Sequence, residues 1–378
     1  MLLSNPFRPD PRVLKEARSL VETSHQLTIV AWDRRSEFPS QEQFAPGIEI
    51  WRIQNIFSSY GIGLRQILPL IHFWQAAEKV MSQLKPDLVH CHDFDTLPVG
   101  LWWAKRHHRP VIYDAHEYYA DMVRPRLNFT AGRFVYMAIR KMERFFARHT
   151  DAIITVDESL ADIYRPLNAK VLIIGHYPSS DFMTQSAPVF SHPQLNLLYL
   201  GRLSLDRGLL IYLDIMRYLH AAGIPAILHL AGAFTPASEE NDFLTEAIDL
   251  REFLQLSGWL SYGQVPQALL QADVGLSLLQ PEPRYVASLP VKLFEYMAAG
   301  LPVIASDFPA IRQVVARENC GALLTPSDPQ SAAKLLADWW RQPELPRRLG
   351  YNGRQAVLTR YNWESLAEKI DCLYQTLV

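Results

Sequence analysis

Cysteine is scarce in this chain: Cys91, Cys320 and Cys372 are the three among 378 residues, and they form no CxxC pair. An odd, widely spaced set implies no disulfide framework and fits a reducing compartment. Charge of one sign is lacking too. The 37 lysines and arginines nearly balance 39 aspartates and glutamates, for a net charge of −2, so there is no overall basic footprint for nucleic acid. Long apolar runs are missing. None approaches the roughly 20 residues a membrane helix needs, and the longest, such as Val171–Gly175 and Leu195–Gly201, are strand-sized. A membrane is therefore expected to be touched only from its surface. No signal-peptide pattern opens the chain, since Met1–Ser4 runs straight into Asn5-Pro6 and then charges. A cytoplasmic location is expected, with the inner face of the membrane as the possible place of work.

What is present is a globular composition, 49% hydrophobic and 20% charged, in a chain long enough for two ordinary domains. Short apolar runs alternate with longer amphipathic stretches. Strands are expected at Leu27–Ala31, Ile48–Ile53, Leu88–Cys91, Val111–Tyr113, Ala152–Val156 and Val171–Ile174. Helices are expected between them at Val13–Val21, Leu64–Leu84, Leu97–Lys105 and Phe134–Ala147. Apolar strands separated by helices indicate parallel βαβ units rather than hairpins. The proline- and serine-rich Tyr177–Pro193 reads as a linker. The alternation then restarts with strands at Leu195–Leu200, Ala226–Leu230, Val274–Leu278 and Val303–Ala305, with helices between them. Residues 332–378 read as helical throughout. The fold class is α/β, in two halves, and open parallel sheets bind ligands at the carboxyl ends of their strands.

Two segments carry the chemistry. The first is Gly201-Arg202-Leu203-Ser204-Leu205-Asp206-Arg207-Gly208, between an expected strand and an expected helix. Glycines let the backbone turn sharply, and guanidinium forks suit phosphate oxygens beside the free N–H groups of a helix start. A strand–turn–helix with solvated charges would read the same way. The second is Ser288–Gly300, in which Pro290 opens a helix and Gly300 ends it. Leu289, Pro290 and Val291 form that helix start, and Lys292 and Glu295 lie three apart. Lysine suits phosphate charge and a carboxylate accepts from a diol. The plain alternative is a solvent-facing Lys–Glu pair contributing a few tenths of a kcal/mol.

Further short motifs fall in order along the chain. They are Asp10-Pro11-Arg12-Val13, His90-Cys91-His92-Asp93, Tyr113-Asp114-Ala115-His116-Glu117, Gly258-Trp259-Leu260 and Tyr361-Asn362-Trp363-Glu364. With the two segments above, they resemble the retaining glycosyltransferases of family 4, the glycosyl transferases group 1. The resemblance covers nearly the whole chain and implies the GT-B fold: two Rossmann-like domains facing each other across a crevice. Residues 1–176 plus about 360–378 would form the acceptor domain, the last helix crossing back, and residues 177–359 the donor domain. It implies transfer of a sugar from a nucleotide-diphosphate donor, UDP favoured over GDP, to an acceptor hydroxyl, in polysaccharide or glycolipid assembly, with no cofactor. Arg202 and Arg207 would bind the diphosphate and Glu295 the ribose. Gly201, Lys292, Leu289, Pro290, Val291, Trp259 and Leu260 would line the donor site. His116 would approach the donor sugar, with His92 and Asp93 on the acceptor side.

The chain departs from the family where a second glutamate often stands eight residues before Glu295; here it is Ala287. Ser4–Pro9 replaces the family's glycine-rich turn after a short first strand. A silent sugar-binding subunit and a sugar-nucleotide epimerase are the alternatives to a transferase. His92, Asp93, Asp95 and His116 also suit a metal, but polar residues lining a sugar pocket are the favoured reading, and no metal is expected. Finally, residues 105–148 hold ten lysines and arginines against four acids, interleaved with Phe134, Tyr136, Phe145 and Phe146. This reads either as a core helix with a solvated basic face or as a helix lying on an anionic membrane. The resemblance adds a sugar or lipid-linked acceptor.

Overall fold

The computed structural model describes residues 1–7, 10–58, 63–123, 132–179, 182, 190–286 and 288–378. Ala287, with Arg8 and Pro9 of the Ser4–Pro9 segment, lies outside the described residues, as does much of the expected linker. The chain divides into two compact units, Met1–His176 with Leu366–Val378, and Tyr177–Ser365.

In the first unit, β1 (Leu2–Leu3), β2 (Leu27–Trp32), β3 (Gln41–Ala45), β4 (Ile48–Ile53), β5 (Val89–His92), β6 (Val111–Ala115), β7 (Ala152–Thr155) and β8 (Val171–Ile173) make one sheet in the order β3-β4-β2-β1-β5-β6-β7-β8. The helices are α1 (Pro11–Glu22), α2 (Ile67–Leu84), α3 (Leu97–His107), α4 (Tyr119–Val123), α5 (Gly132–Ala147) and α6 (Glu158–Tyr164). Neighbouring strands pair in parallel, with one correction to the sequence reading: β3 and β4 form an antiparallel hairpin. The sequence hid it because β3, QEQFA, is a polar edge strand with no buried residue, as exposed edges tend to be.

In the second unit, β9 (Leu195–Leu200), β10 (Ala226–Ala231), β11 (Leu254–Gly258), β12 (Val274–Ser277), β13 (Val303–Ser306) and β14 (Gly321–Leu324) form an all-parallel sheet in the order β11-β10-β9-β12-β13-β14. Its helices are α7 (Leu209–Ala221), α8 (Glu239–Glu246), α9 (Val265–Leu270), α10 (Pro283–Val286), α11 (Val291–Ala299), α12 (Pro309–Glu318), α13 (Pro329–Arg341) and α14 (Glu344–Thr359). The strand β9 explains why its sequence shows no polar alternation. Leu195, Leu197 and Tyr199 join one buried cluster, and Leu198 and Leu200 join another on the opposite face.

The last helix, α15 (Glu364–Leu377), belongs mostly to the first unit: Asp371 meets His25 at 3.0 Å and Tyr374 shares a 2.7 Å hydrogen bond with His90. The return begins at Leu366 rather than near 360. Arg360 and Tyr361 are held by Glu318, and the Trp363 N–H donates to the Pro178 carbonyl, so these residues stay with the second unit.

The helix α5 departs from the core-helix reading. Of its residues only Gly132, Glu143 and Ala147 are buried, while Phe134 and Phe145 are 74% and 54% exposed. Among the described residues no helix is long and apolar enough to cross a membrane.

Candidate active site

In the first unit the strand ends β5 and β6 gather ionisable groups. Residues two apart on a strand face the same way, so His90 and His92 stack with ring centroids 4.4 Å apart. Parallel pairing sets His92 opposite Asp114. One carboxylate oxygen, Asp114 Oδ2, then lies 3.4 Å from His90 Nε2, 3.4 Å from His92 Nδ1 and 3.5 Å from His116 Nε2. From α1, Glu16 Oε2 comes within 3.9 Å of His92 Nε2. That helix is started by Asp10, whose side chain caps the Arg12 N–H and takes the Arg12 guanidinium at 2.9 and 2.7 Å. Glu16, His90, His92, Asp114 and His116 are all buried.

Burial of so many charges is tolerable only if they compensate one another. Burial opposes the His116 cation, but Asp114 and Asp93 outweigh it and raise the imidazole to about 9. Burial lowers His90 to about 3, with His92 adding to the effect. Burial also lowers His92, and it lowers His176 together with the charge on His116. It opposes the Asp114 anion, yet His116 and the hydrogen bonds around it hold that carboxyl well below its usual range. Burial and Asp114 push Glu16 far up. The result is an ion pair, Asp114 with His116, beside histidines and a Glu16 carboxyl that burial biases toward their uncharged forms. A protonated His116 donates through Nε2 to His92 Nδ1 at 3.3 Å, and its buried Nδ1 has no partner among the described residues.

The metal question takes a different form from the one the sequence posed. His92 and His116 do meet, but with Glu16 and Asp114: one ligand atom from each of the four lies within 4.8 Å of the others. This set could hold a cation only if His116 gave up its proton. Asp95 is drawn aside toward Arg34, 4.0 Å away. Asp93 follows β5 with φ +63°, a left-handed conformation that aspartate tolerates better than most residues.

The second unit assembles cations instead. Gly201 follows β9 with φ +111°, and a Cβ there would stand 3.7 Å from Lys292 Nζ. Arg207 ends a short 3-10 turn, and Gly208 (φ +83°) then leads into α7. At Gly208 a Cβ would come 2.7 Å from the Leu278 carbonyl oxygen, so this approach is closed to larger residues. Arg202 reaches Tyr285 Oη at 3.3 Å and Asp206 at 3.5 Å, and Tyr285 donates to Asp206 at 3.0 Å. The Arg207 guanidinium lies 5.3 Å from the Tyr285 ring centre. Lys292 does not face solvent beside Glu295, as the plain reading had it. It is buried on α11, its ammonium 3.4 Å from the Tyr199 ring centre. Burial and the neighbouring Arg207 push that amine well below its usual range. Arg202 Nε, Arg207 Nε and Lys292 Nζ are buried without hydrogen-bond partners among the described residues.

Leu289 and Pro290 lead into α11 and Val291 begins it, while Glu295, half-buried, stands one turn further on. Leu260 packs against the core, but Trp259 is 75% exposed after β11. The sequence reading missed Tyr199 and Tyr285, which line the cation cluster. It also gave no role to Glu16 or Asp114. The i, i+2 spacing of Asp114 and His116 behind a strand was the available signal for Asp114; nothing local marks Glu16.

The pattern of the family described as Glycosyltransferase Family 4 matches residues 12–175, and that of Glycosyl transferases group 1 matches residues 184–356. A phosphatidyl-myo-inositol mannosyltransferase of Mycobacterium leprae is 23% identical, over 77% of this chain and 74% of its own. Sucrose-phosphate synthase from Thermosynechococcus elongatus superposes with a TM-score of 0.77 at 19% identity, covering 100% of this chain and 98% of that one. Anabaena HepE in complex with UDP and glucose superposes with a TM-score of 0.70 at 15% identity, covering 100% and 99%. The fold is GT-B, and the chain belongs to the group 1 glycosyltransferases of family 4.

Proposed function

We propose that this glycosyltransferase is a retaining enzyme that moves a hexosyl group from a UDP-sugar to a hydroxyl of a lipid-linked acceptor at the inner membrane face. The observation that carries the reading is the cation cluster. Arg202, Arg207 and Lys292 stand together with unspent, buried donors, and a diphosphate is the ligand whose charge and oxygens suit them. The UDP bound by HepE supports the choice of base. The phosphatidyl-myo-inositol in the name of the mycobacterial relative supports the acceptor class.

In this reading Arg202, Arg207, Lys292 and the start of α11 hold the diphosphate, Glu295 the ribose, and Gly201 leaves room for the phosphates. The bond from the sugar C1 to the phosphate oxygen breaks as the acceptor oxygen bonds to C1 on the same face. The acceptor proton passes to the departing phosphate, whose developing charge the three cations stabilise. His116, charged and with Nδ1–H unspent, donates to a sugar hydroxyl and orients the ring rather than acting as base. His92 and Asp93 take the acceptor side. NMR of the product is expected to show the donor's anomeric configuration preserved and UDP released only with acceptor present. An inverted product sinks the mechanism, and acceptor-independent isomerisation of the bound sugar would mark an epimerase.

A further inference from the structure

A groove of about 510 Å³ runs between α2, α3 and α5 of the first unit, within the ~300–1,000 Å³ typical of ligand pockets. Its apolar lining is Ile71 and Trp74 from α2, Pro98, Val99 and Trp102 from α3, and Phe146 from α5, and the polar Gln75, Glu78 and Lys79 of α2 line it as well. The Trp74 indole N–H is already taken by the Asp95 carbonyl at 2.7 Å, so its ring offers the groove only apolar surface.

The surface around this groove is unusual in two respects. Apart from the terminal Val378, every large apolar residue exposed on the described part of the first unit falls between Phe57 and Phe145. Ile67, Leu68 and Ile71 project from around the start of α2, Trp102 from α3, and Phe134, Met137, Met142 and Phe145 from α5. The same surface is cationic. The helix α5 exposes Arg133, Arg140 and Lys141, followed by Arg148, and the Arg106 guanidinium lies 5.6 Å from the Trp102 ring centre. The one acid of α5, Glu143, is turned fully inward. It accepts from Tyr113 and Tyr164 and from the Tyr119 and Ala120 backbone N–H groups. The exposed face of α5 thus offers hydrocarbon and positive charge with no carboxylate of its own.

We infer that this face docks on an anionic bilayer and that the groove receives one hydrocarbon chain of a membrane lipid. The inference rests on the lipid-linked acceptor proposed above and names the surface that would meet it. Hydrocarbon at the groove wall enters the interface while the arginines and lysine meet lipid phosphate, and both terms act on the same side of the helix.

The test uses the full chain with vesicles of phosphatidylglycerol or of phosphatidylcholine and no donor sugar. Binding is expected to phosphatidylglycerol and to weaken with salt. Dibrominated acyl chains should quench tryptophan emission, and Trp102→Phe should reduce that quenching, Trp74 carrying the remainder, while binding persists. Ile71→Glu, at a partly exposed site, should weaken binding about tenfold at low and high salt alike, since a carboxylate opposes both the hydrocarbon and the anionic surface. Reversing Arg140, Lys141 and Arg144 to glutamate should weaken it mainly at low salt. Circular dichroism of each variant checks the fold. Quenching unchanged in Trp102→Phe, or binding unchanged in folded Ile71→Glu, overturns the inference. So does a dimer in free solution that Ile71→Glu dissociates and vesicles leave intact, for the groove would then serve a second copy. UDP affinity measured on the same preparations separates this failure from failure of the transferase reading.

Discussion

The two units bury ionisable groups in opposite ways. In the first, Asp114 and His116 neutralise each other among groups that burial biases toward their uncharged forms, so the charges balance without a ligand although His116 Nδ1 stays unspent. In the second, Arg202, Arg207 and Lys292 crowd around Tyr199 and Tyr285 with Asp206 as the carboxylate bonded to Arg202, and three of their donors stay unspent. A self-compensated cluster holds the protein together and presents one oriented group. An uncompensated one costs stability and returns it when an anion arrives. Mutation should therefore strike stability in the first unit and ligand affinity in the second.

The largest expected effect is at Asp114. Asp114→Ala strands the buried His116 cation, and removing one partner of a buried pair costs about 3–5 kcal/mol. His116 can shed its proton in the variant, so the loss should fall toward the lower end. Denaturant unfolding measures it, and a loss comparable to that of a surface pair would dissolve the contrast between the units.

Arg202→Ala is the counterpart. It should weaken UDP binding by roughly ten- to a hundredfold, the loss of a charge-assisted contact of about 1.5–3 kcal/mol. The denaturation midpoint should stay where it was, because Arg202 is a third exposed and its pair with Asp206 is long at 3.5 Å. Titration calorimetry and an unfolding curve on the same sample decide the point.

Lys292→Met sharpens the comparison, since here stability should rise. The buried amine is depressed from 10.5 and lacks a hydrogen bond, and replacing such a group by an apolar one that can lie on the Tyr199 ring should gain about 1 kcal/mol. The folded-state value lies below the unfolded one, so the gain should be full only below the folded value, shrink as pH rises between the two and vanish above the unfolded one. In the wild type, an arriving diphosphate should recharge the amine. Nucleotide binding should then take up a fraction of a proton, seen as a heat that varies with buffer ionisation and disappears in the variant.

The first unit should also show a pH dependence. His116 is raised above its ordinary 6.5 to about 9. Its contribution to stability is thus complete below 6.5 and lost as pH climbs through 9. The stability difference between the wild type and His116→Gln should shrink over that window. A constant difference would mean that His116 is neutral and that the cluster is not balanced as described.

Much of this was legible in the chain. Leu195–Leu200 reads as a buried strand because apolar residues on both faces leave no polar alternation, and the glycines after it mark sharp turns at φ +111° and +83°. Pro290 and Gly300 bracket α11 because one presets a helix entry and the other sits at φ +78°. The edge strands β3, β11 and β14 were missed, β3 and β11 because their residues are mostly exposed or half-exposed and pairing, not pattern, makes them strands. Lys292 was legible as a residue of the α11 helix but not as a buried one, since its place over Tyr199 joins residues far apart in sequence.

The sequence by itself determined the alternation of strands and helices, the family, and the glycine turns after the strands, because these follow from local periodicity and backbone freedom. The tertiary structure alone decided which side chains are charged. Glu16 comes to His92 from a helix, Asp114 from the neighbouring strand and Tyr374 to His90 from the far end of the chain. Protonation inside a protein depends on the distance to other charges and to water, and neither distance is written along the chain.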